Sequence, residues 1–347
     1  ERDPPQAAQL WMAEGSRGCP YEEKMDARMA SLYSSRSETQ ILKASPMSDA
    51  RTNILGCRYE QGVFHKLYFR QSQNILKKLI HSGSNVYLKP NDIISHRPTL
   101  FGYHEPHLEA LFKDVSRTHS DFLLDIGANI GLTSVMGGGD FTDIHCVEPN
   151  GTLAKILDVN LELNGLSDRS TIHTVGLGDE DKVEELWIPR VNFGGAFVQQ
   201  GNAYDGSNDT APRSSDDDYI IQNIQLVDAK AWLADLFAAN QHWRNGLIKI
   251  DVEGFELKIF EALLETLPKT VSTVIVMENF LHSIDFQQFR AQRHDLEWFG
   301  FYKTRNWIKS IPFKLLGMSS YYAQNVRRID PDDKAPHDII VLATPET

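Results

Sequence analysis

Residues 122–132 read FLLDIGANIGL. The apolar run Phe122 to Leu124 makes a buried strand, Asp125 closes it, and Gly127 and Gly131 turn the chain toward the next helix. A buried strand followed by a glycine turn and a helix is the opening unit of a parallel sheet, with the turn at its ligand-binding edge. Glycines carry no Cβ, so this turn lets a ligand approach the backbone closely. An acidic side chain at the strand end suits a ligand that brings positive charge or hydroxyls better than one that brings phosphate.

The rest of the chain from about residue 86 repeats this unit. Apolar runs at Phe122–Ile126, Asp143–Val147, Thr171–Val175, Leu247–Ile250 and Val271–Met277 read as strands. Between them lie helical faces, opened by Leu132–Met136, traced by Leu153, Ile156, Leu157 and Leu161, and again by Phe260, Leu263, Leu264 and Leu267 before Pro268. Gly176-Leu177-Gly178-Asp179 reads as a turn. Strands alternating with helices predict an α/β fold whose mostly parallel sheet is covered on both faces. Gly300–Trp307 and Asp338–Ala343 are strand-like and suit an antiparallel edge. Residues 1–85 are polar with helical patches such as Tyr68 to Leu79, and read as a helical extension or cap on a domain spanning 86–347. Segment 187–220 breaks the rhythm, and its polar part, 199–220, reads equally as a substrate lid or as a disordered loop.

A formal charge of −12 argues against nucleic acid as the main partner, which needs a basic footprint. Arg290, Arg293, Lys303, Arg305, Lys309 and Lys314 form a thin basic belt that reads as a solvated surface. The longest apolar runs are far too short to cross a bilayer, so no transmembrane segment is expected. Cys19, Cys57 and Cys146 have neither zinc-site nor disulfide spacing, which fits a reducing, cytoplasmic setting. The chain begins with Glu1 and not methionine, so a targeting segment lost upstream stays open, as does assembly into a homo-oligomer.

Four strand ends carry polar groups where the interiors do not: Asp125, Glu148, Asp251 and Glu278-Asn279. One acid after a strand is commonly a helix cap, but four at one sheet edge point to a site. Glu148 follows Gly131 at about the interval at which a dinucleotide-binding unit places its ribose-binding acid. A nicotinamide fingerprint also needs glycines where this chain has Asn129 and Leu132. Adenosine is thus implied, and S-adenosylmethionine, with its ammonium, sulfonium and ribose, suits Asp125 better than a pyrophosphate does.

DIGANIG at 125–131, VEPN at 147–150, LELNGL at 161–166, GLGDED at 176–181, NFGGAFV at 192–198 and KIDVEGFE at 249–256 resemble the FkbM family of S-adenosylmethionine-dependent methyltransferases. The resemblance runs in order over residues 95–343. It implies a class I methyltransferase fold, Rossmann-like, with a seven-stranded sheet whose last strand, from HDIIVLA at 337–343, is antiparallel. It also implies O-methylation of a carbohydrate or small-molecule hydroxyl: a sugar of a glycan or glycolipid, or alternatively a polyketide-type natural product. Carried over, Asp125, Gly127, Asn129 and Gly131 surround the methionine part and ribose, Glu148 holds the ribose hydroxyls, and Pro149, Asn150, Val175 and Gly176 border the adenine. Tyr103 and Glu105 sit where such folds close over the methionine carboxylate and amine. The family's leucine-aspartate pair before the helix preceding the fourth strand is here Val227-Asp228, and the loop after NFGGAFV is long and acidic.

A sulfonium is already activated, so such a site must align an acceptor oxygen and take its proton. Asp251 is the expected base, with Glu278 and His282 as further candidates. Asp251, Glu278 and Asn279 also resemble the magnesium site of catechol O-methyltransferase-like enzymes, so Mg²⁺ joins S-adenosylmethionine as an expected ligand. Trp187, Phe193, Phe197, Tyr204, Trp298 and Trp307 are available for stacking on a sugar. Two rival readings remain open: a nicotinamide-dependent oxidoreductase, and a non-catalytic scaffold that keeps the fold.

Overall fold

A computed structural model of the chain describes residues 86–89, 92, 94–95, 105–190, 192–198, 219–278, 289, 295–305, 322–329 and 336–345. The helices are α1 (Pro106–Val115), α2 (Leu132–Gly137), α3 (Gly151–Leu163), α4 (Ala229–Ala239) and α5 (Glu256–Thr266). The strands are β1 (Phe122–Ile126), β2 (Asp143–Val147), β3 (Ser170–His173), β4 (Gly176–Gly178), β5 (Lys182–Pro189), β6 (Phe197–Val198), β7 (Tyr219–Asp228), β8 (Asn245–Ile250), β9 (Ser272–Glu278), β10 (Leu296–Arg305), β11 (Tyr322–Arg328) and β12 (Asp338–Ala343).

The main sheet has eight strands in the order β11-β10-β12-β9-β8-β1-β2-β3. The five expected strands are present and lie parallel at its centre and one side. Strand order reverses between β1 and β8, which makes the carboxyl ends of these two strands the switch point where a crevice opens. β12 is antiparallel, as expected. It does not end the sheet, however: it inserts between β9 and β10. Instead β11, which the sequence reading omitted, pairs antiparallel with β10 at the edge and raises the count from seven strands to eight.

Alternation along β1 divides the core between the two faces of the sheet. Phe122, Leu124 and Ile126 pack on one side with Ile248, Ile250 and helix residues such as Leu233 and Phe260. Leu123 packs on the other with Phe112, Ile144 and Leu247. By the same alternation Asp125, Lys249 and Asp251 fall on the Leu123 side, beneath the start of α1.

A second, four-stranded sheet of order β4-β7-β5-β6 was not anticipated. Gly176–Gly178, read as a turn, is a short strand paired with β7. Trp187 and residues 219–220, read as loop, belong to β5 and β7, and β5 runs antiparallel to β7 over their whole shared length. The expected lid at 199–220 falls, apart from its last two residues, outside the described residues, as do the N-terminal extension and the Tyr68–Leu79 helix.

Candidate functional site

The turn after β1 is shaped first by packing between strand ends. Gly127 adopts φ +81°, and a Cβ there would lie 1.8 Å from the carbonyl oxygen of Asp251. Its missing side chain therefore makes room for the end of β8, and not only for a ligand. Gly131 likewise clears Leu157, whose Cδ1 would stand 2.4 Å from an added Cβ. Asn129 is the one non-glycine residue of positive φ among the described residues, at +53°. Its side-chain oxygen accepts the Ile130 N–H at 2.7 Å, the local bond that lets asparagine tolerate this conformation.

Glu148 ties this turn to the next strand end. Its two carboxylate oxygens accept the N–H groups of Asn129 and Asn150, each at 2.8 Å. Burial pushes its carboxyl up to about 7, and the two backbone donors offset only part of that rise. Asn150 caps α3, accepting the Thr152 N–H at 3.0 Å. Over this frame opens a cavity of about 710 Å³, continuous with solvent. Glu148 and Asn129 are among its polar wall; Val175, Leu177, Phe193, Phe197 and Leu226 supply much of its apolar wall. The second sheet thus closes the far side of the crevice.

A polar cavity of about 640 Å³ adjoins it and shares Gly127, Asn129, Gly194, Asp251 and Glu253. Lys249 and Glu105 line this second space and not the first. Lys249 is buried, 3.3 Å from Asp125 and 2.9 Å from Asp251. Burial alone would lower its ammonium, but Asp125 and Asp251 outweigh that and hold it above the usual lysine range. Ser134 donates to the other oxygen of Asp125 at 2.5 Å. Glu105 precedes α1 without capping it through its side chain, and burial, reinforced by Asp251, raises its carboxyl. Glu278 is pushed up to about 10 by burial, by the charge of Asp251 and by a hydrogen bond to Asp251. His337 reaches Glu278 at 3.2 Å and Asp338 at 3.2 Å.

Residues 125–314, more than half of the chain, match the methyltransferase FkbM domain. The chain belongs to the FkbM methyltransferase family. No curated protein matches it. Among solved structures it is similar to an O-methyltransferase from Bacillus cereus in complex with SAH, at 11% identity and a TM-score of 0.37, over 84% of this chain and 94% of that one. It is also similar to the O-methyltransferase TomG from Streptomyces achromogenes, involved in tomaymycin synthesis and in complex with SAM. The identity there is 10% and the TM-score 0.39, over 78% of this chain and 96% of that one.

The FkbM domain brings most of the expected residues to one crevice. Gly127, Asn129, Glu148, Pro149, Val175, Gly176 and Asp251 line the first cavity, and Glu105 the second. Asp125 does not reach either wall: it is fully buried beneath them, bound by Ser134 and Lys249. Gly131 and Asn150 are similarly structural, one against Leu157 and one as a helix cap. In KIDVEGFE, Gly254 serves through its φ of +91°, and the buried Glu256 carboxylate accepts its N–H at 3.1 Å. Tyr103, Asn279 and His282 lie outside the described residues. Trp298 is fully buried against Phe260 and Phe289, so it is core and no sugar platform; Tyr204 and Trp307 lie outside the described residues.

Of the expected magnesium ligands, Asp251 and Glu278 face each other, and Asn279 lies outside the described residues. Asp251 and Glu278 meet through a shared hydrogen bond. Among the described residues no group of three or more His, Cys, Asp or Glu side chains is disposed around a common point.

The sequence reading missed two participants. Lys249 stands inside an apolar strand, where its only signal was the acid two residues later. Three described residues ahead of α1 also meet the site's frame: Tyr87 exchanges hydrogen bonds with Asn160, Lys89 stacks over Phe193 at 3.5 Å, and Ile94 fills the space above Gly194. Nothing in its composition marked that contact.

Proposed function

We propose that this FkbM domain methylates a sugar hydroxyl of a glycan or glycolipid, with S-adenosylmethionine as donor. The observation that carries this reading is the pair of joined cavities, one apolar with a buried carboxylate and one polar with Asp251, meeting at Gly127 and Asn129. Bound S-adenosylmethionine supplies a methyl group on sulfonium, an electrophile that needs no further activation. In this reading Val175, Leu177 and Phe197 enclose the adenine, and each oxygen of Glu148 keeps a lone pair for a ribose hydroxyl. Glu105, raised by burial, gains a partner in the amino-acid ammonium.

Asp251 then faces the acceptor. Its carboxylate is 43% exposed and stands 2.9 Å from the Lys249 ammonium. It accepts the hydroxyl proton as the new oxygen–methyl bond forms and the sulfur–methyl bond breaks, releasing S-adenosylhomocysteine. Glu278, carrying its own proton, donates to Asp251 and so does not compete for that role. Alignment can supply on the order of 7–11 kcal/mol, and a positioned base about 10²–10⁴-fold more. Asn192, Glu253 and Asp251 offer several polar groups along the second cavity, which suits a polyol better than an apolar polyketide.

The test pairs calorimetric titration of S-adenosylhomocysteine with transfer of labelled methyl into glycan and glycolipid fractions. Binding with label in a sugar hydroxyl supports the reading. Protection by nicotinamide dinucleotide with none by S-adenosylhomocysteine would sink it.

A further inference from the structure

The side chains of Ser134, Asp125, Lys249 and Asp251 form one unbroken line, from the helix after the glycine turn to the rim of the polar cavity. Ser134 of α2 donates to one oxygen of Asp125, and Lys249 holds the other at 3.3 Å. The same ammonium reaches Asp251 at 2.9 Å. The backbone dictates this line. β1 and β8 are parallel with Asp125 opposite Lys249, so both side chains leave the same face, and Asp251 follows two residues later on that face.

Accessibility falls sharply along it. The Asp125 and Lys249 side chains are 0% and 5% exposed, whereas Asp251 is 43% exposed. A half-exposed aspartate has freedom to rotate, and the buried ammonium is a fixed point that its carboxylate can lean on. The Asp251 N–H donates to the Ile126 carbonyl at 3.0 Å, and its carboxylate also shares a hydrogen bond with Glu278. The ammonium retains its charge because two carboxylates outweigh the effect of burial.

We propose that Lys249 is a positioning residue for the transfer: anchored on Asp125, it aims the Asp251 carboxylate into the polar cavity and ties that aim to the donor turn. This deepens the methyltransferase reading and rests on it for the role of Asp251. It does not need that reading for the geometry itself.

The decisive measurement is the crystal structure of full-length Lys249→Met beside the parent chain, each with and without S-adenosylhomocysteine. The expected result is that Asp251 leaves its position by more than about 2 Å or splits into two rotamers, since its anchor on the buried ammonium is then gone. A ¹³C-carboxyl resonance of Asp251, assigned by its loss in Asp251→Asn, should shift in the same variant. S-adenosylhomocysteine affinity should change less than threefold. Asp251 unmoved in Lys249→Met, with its resonance unshifted, overturns the proposal, since a merely structural lysine would leave both untouched. If the unpaired Asp125 unfolds that variant, Asp125→Asn/Lys249→Met removes the stranded charge and is read the same way. A parent chain that does not bind S-adenosylhomocysteine would fail the function proposed above, while the ligand-free crystals would still decide the role of Lys249.

Discussion

The two halves of the crevice are built from different materials. On the β1–β2 side the wall is backbone and apolar side chains: Gly127, Asn129 and the N–H groups that hold Glu148. On the β8–β9 side it is Lys249 and Asp251, ionisable side chains backed outside the cavities by Glu278 and His337. A backbone wall recognises a constant ligand and tolerates little substitution. A wall of side chains can be retuned, and it is the half on which the reaction's proton must move.

The sharpest way to break this contrast is Asp251→Asn. Turnover should fall about 10²–10⁴-fold, the typical contribution of a positioned base. Affinity for S-adenosylhomocysteine, measured by calorimetry, should stay within threefold. An equal loss of both would erase the distinction between the halves.

Glu148 tests the other side. Its carboxyl titrates at about 7 in the fold against 4.5 unperturbed, so the folded chain binds the extra proton between those values and stability falls as pH rises through that window. At about 1.36 kcal/mol per pKa unit, the loss is on the order of 3 kcal/mol, and Glu148→Gln should remove it from ligand-free denaturation curves. Glu256, also at about 7, stays in both proteins, so the difference isolates Glu148. Ribose hydroxyls favour the carboxylate, so affinity for S-adenosylhomocysteine should rise several-fold between pH 6 and pH 8 in the parent and stay flat in the variant.

Asn129→Ala should cost about 1–2 kcal/mol in urea denaturation, because alanine pays for the left-handed conformation without the bond to Ile130. Asn129→Gly should cost less. The smallest expected effect is that of excess chelator. Because Asp251 and Glu278 are engaged with each other, turnover should change less than twofold; a complete, magnesium-reversible loss would reassign the acidic half.

What could be read from the sequence follows the same division. β1, β2, β8 and β9 were legible because parallel strands buried on both faces are nearly continuous apolar runs. Glu148 stood out as an acid directly after such a run. Lys249 was hidden because its pairing with Asp125 spans 124 residues, a juxtaposition that no local pattern encodes. The second sheet was hidden for another reason. β7 alternates only toward its end, where Ile224 and Leu226 are buried, while the adjacent Ile220 and Ile221 are both exposed, and it directly follows a polar run whose composition reads as loop. The glycines were found but partly misread. Gly127 meets the Asp251 carbonyl and Gly131 meets Leu157, so both serve packing as well as access.

The place of β12 carries a consequence for how the protein is made. This strand follows every other described strand, yet it lies between β9 and β10 and brings His337 and Asp338 to the acidic edge. During translation the sheet therefore cannot close, nor the acidic half assemble, until these final strand residues leave the ribosome. A nascent chain stalled before Asp338 would leave β9 and β10 with unpaired edges, open to non-native strand pairing.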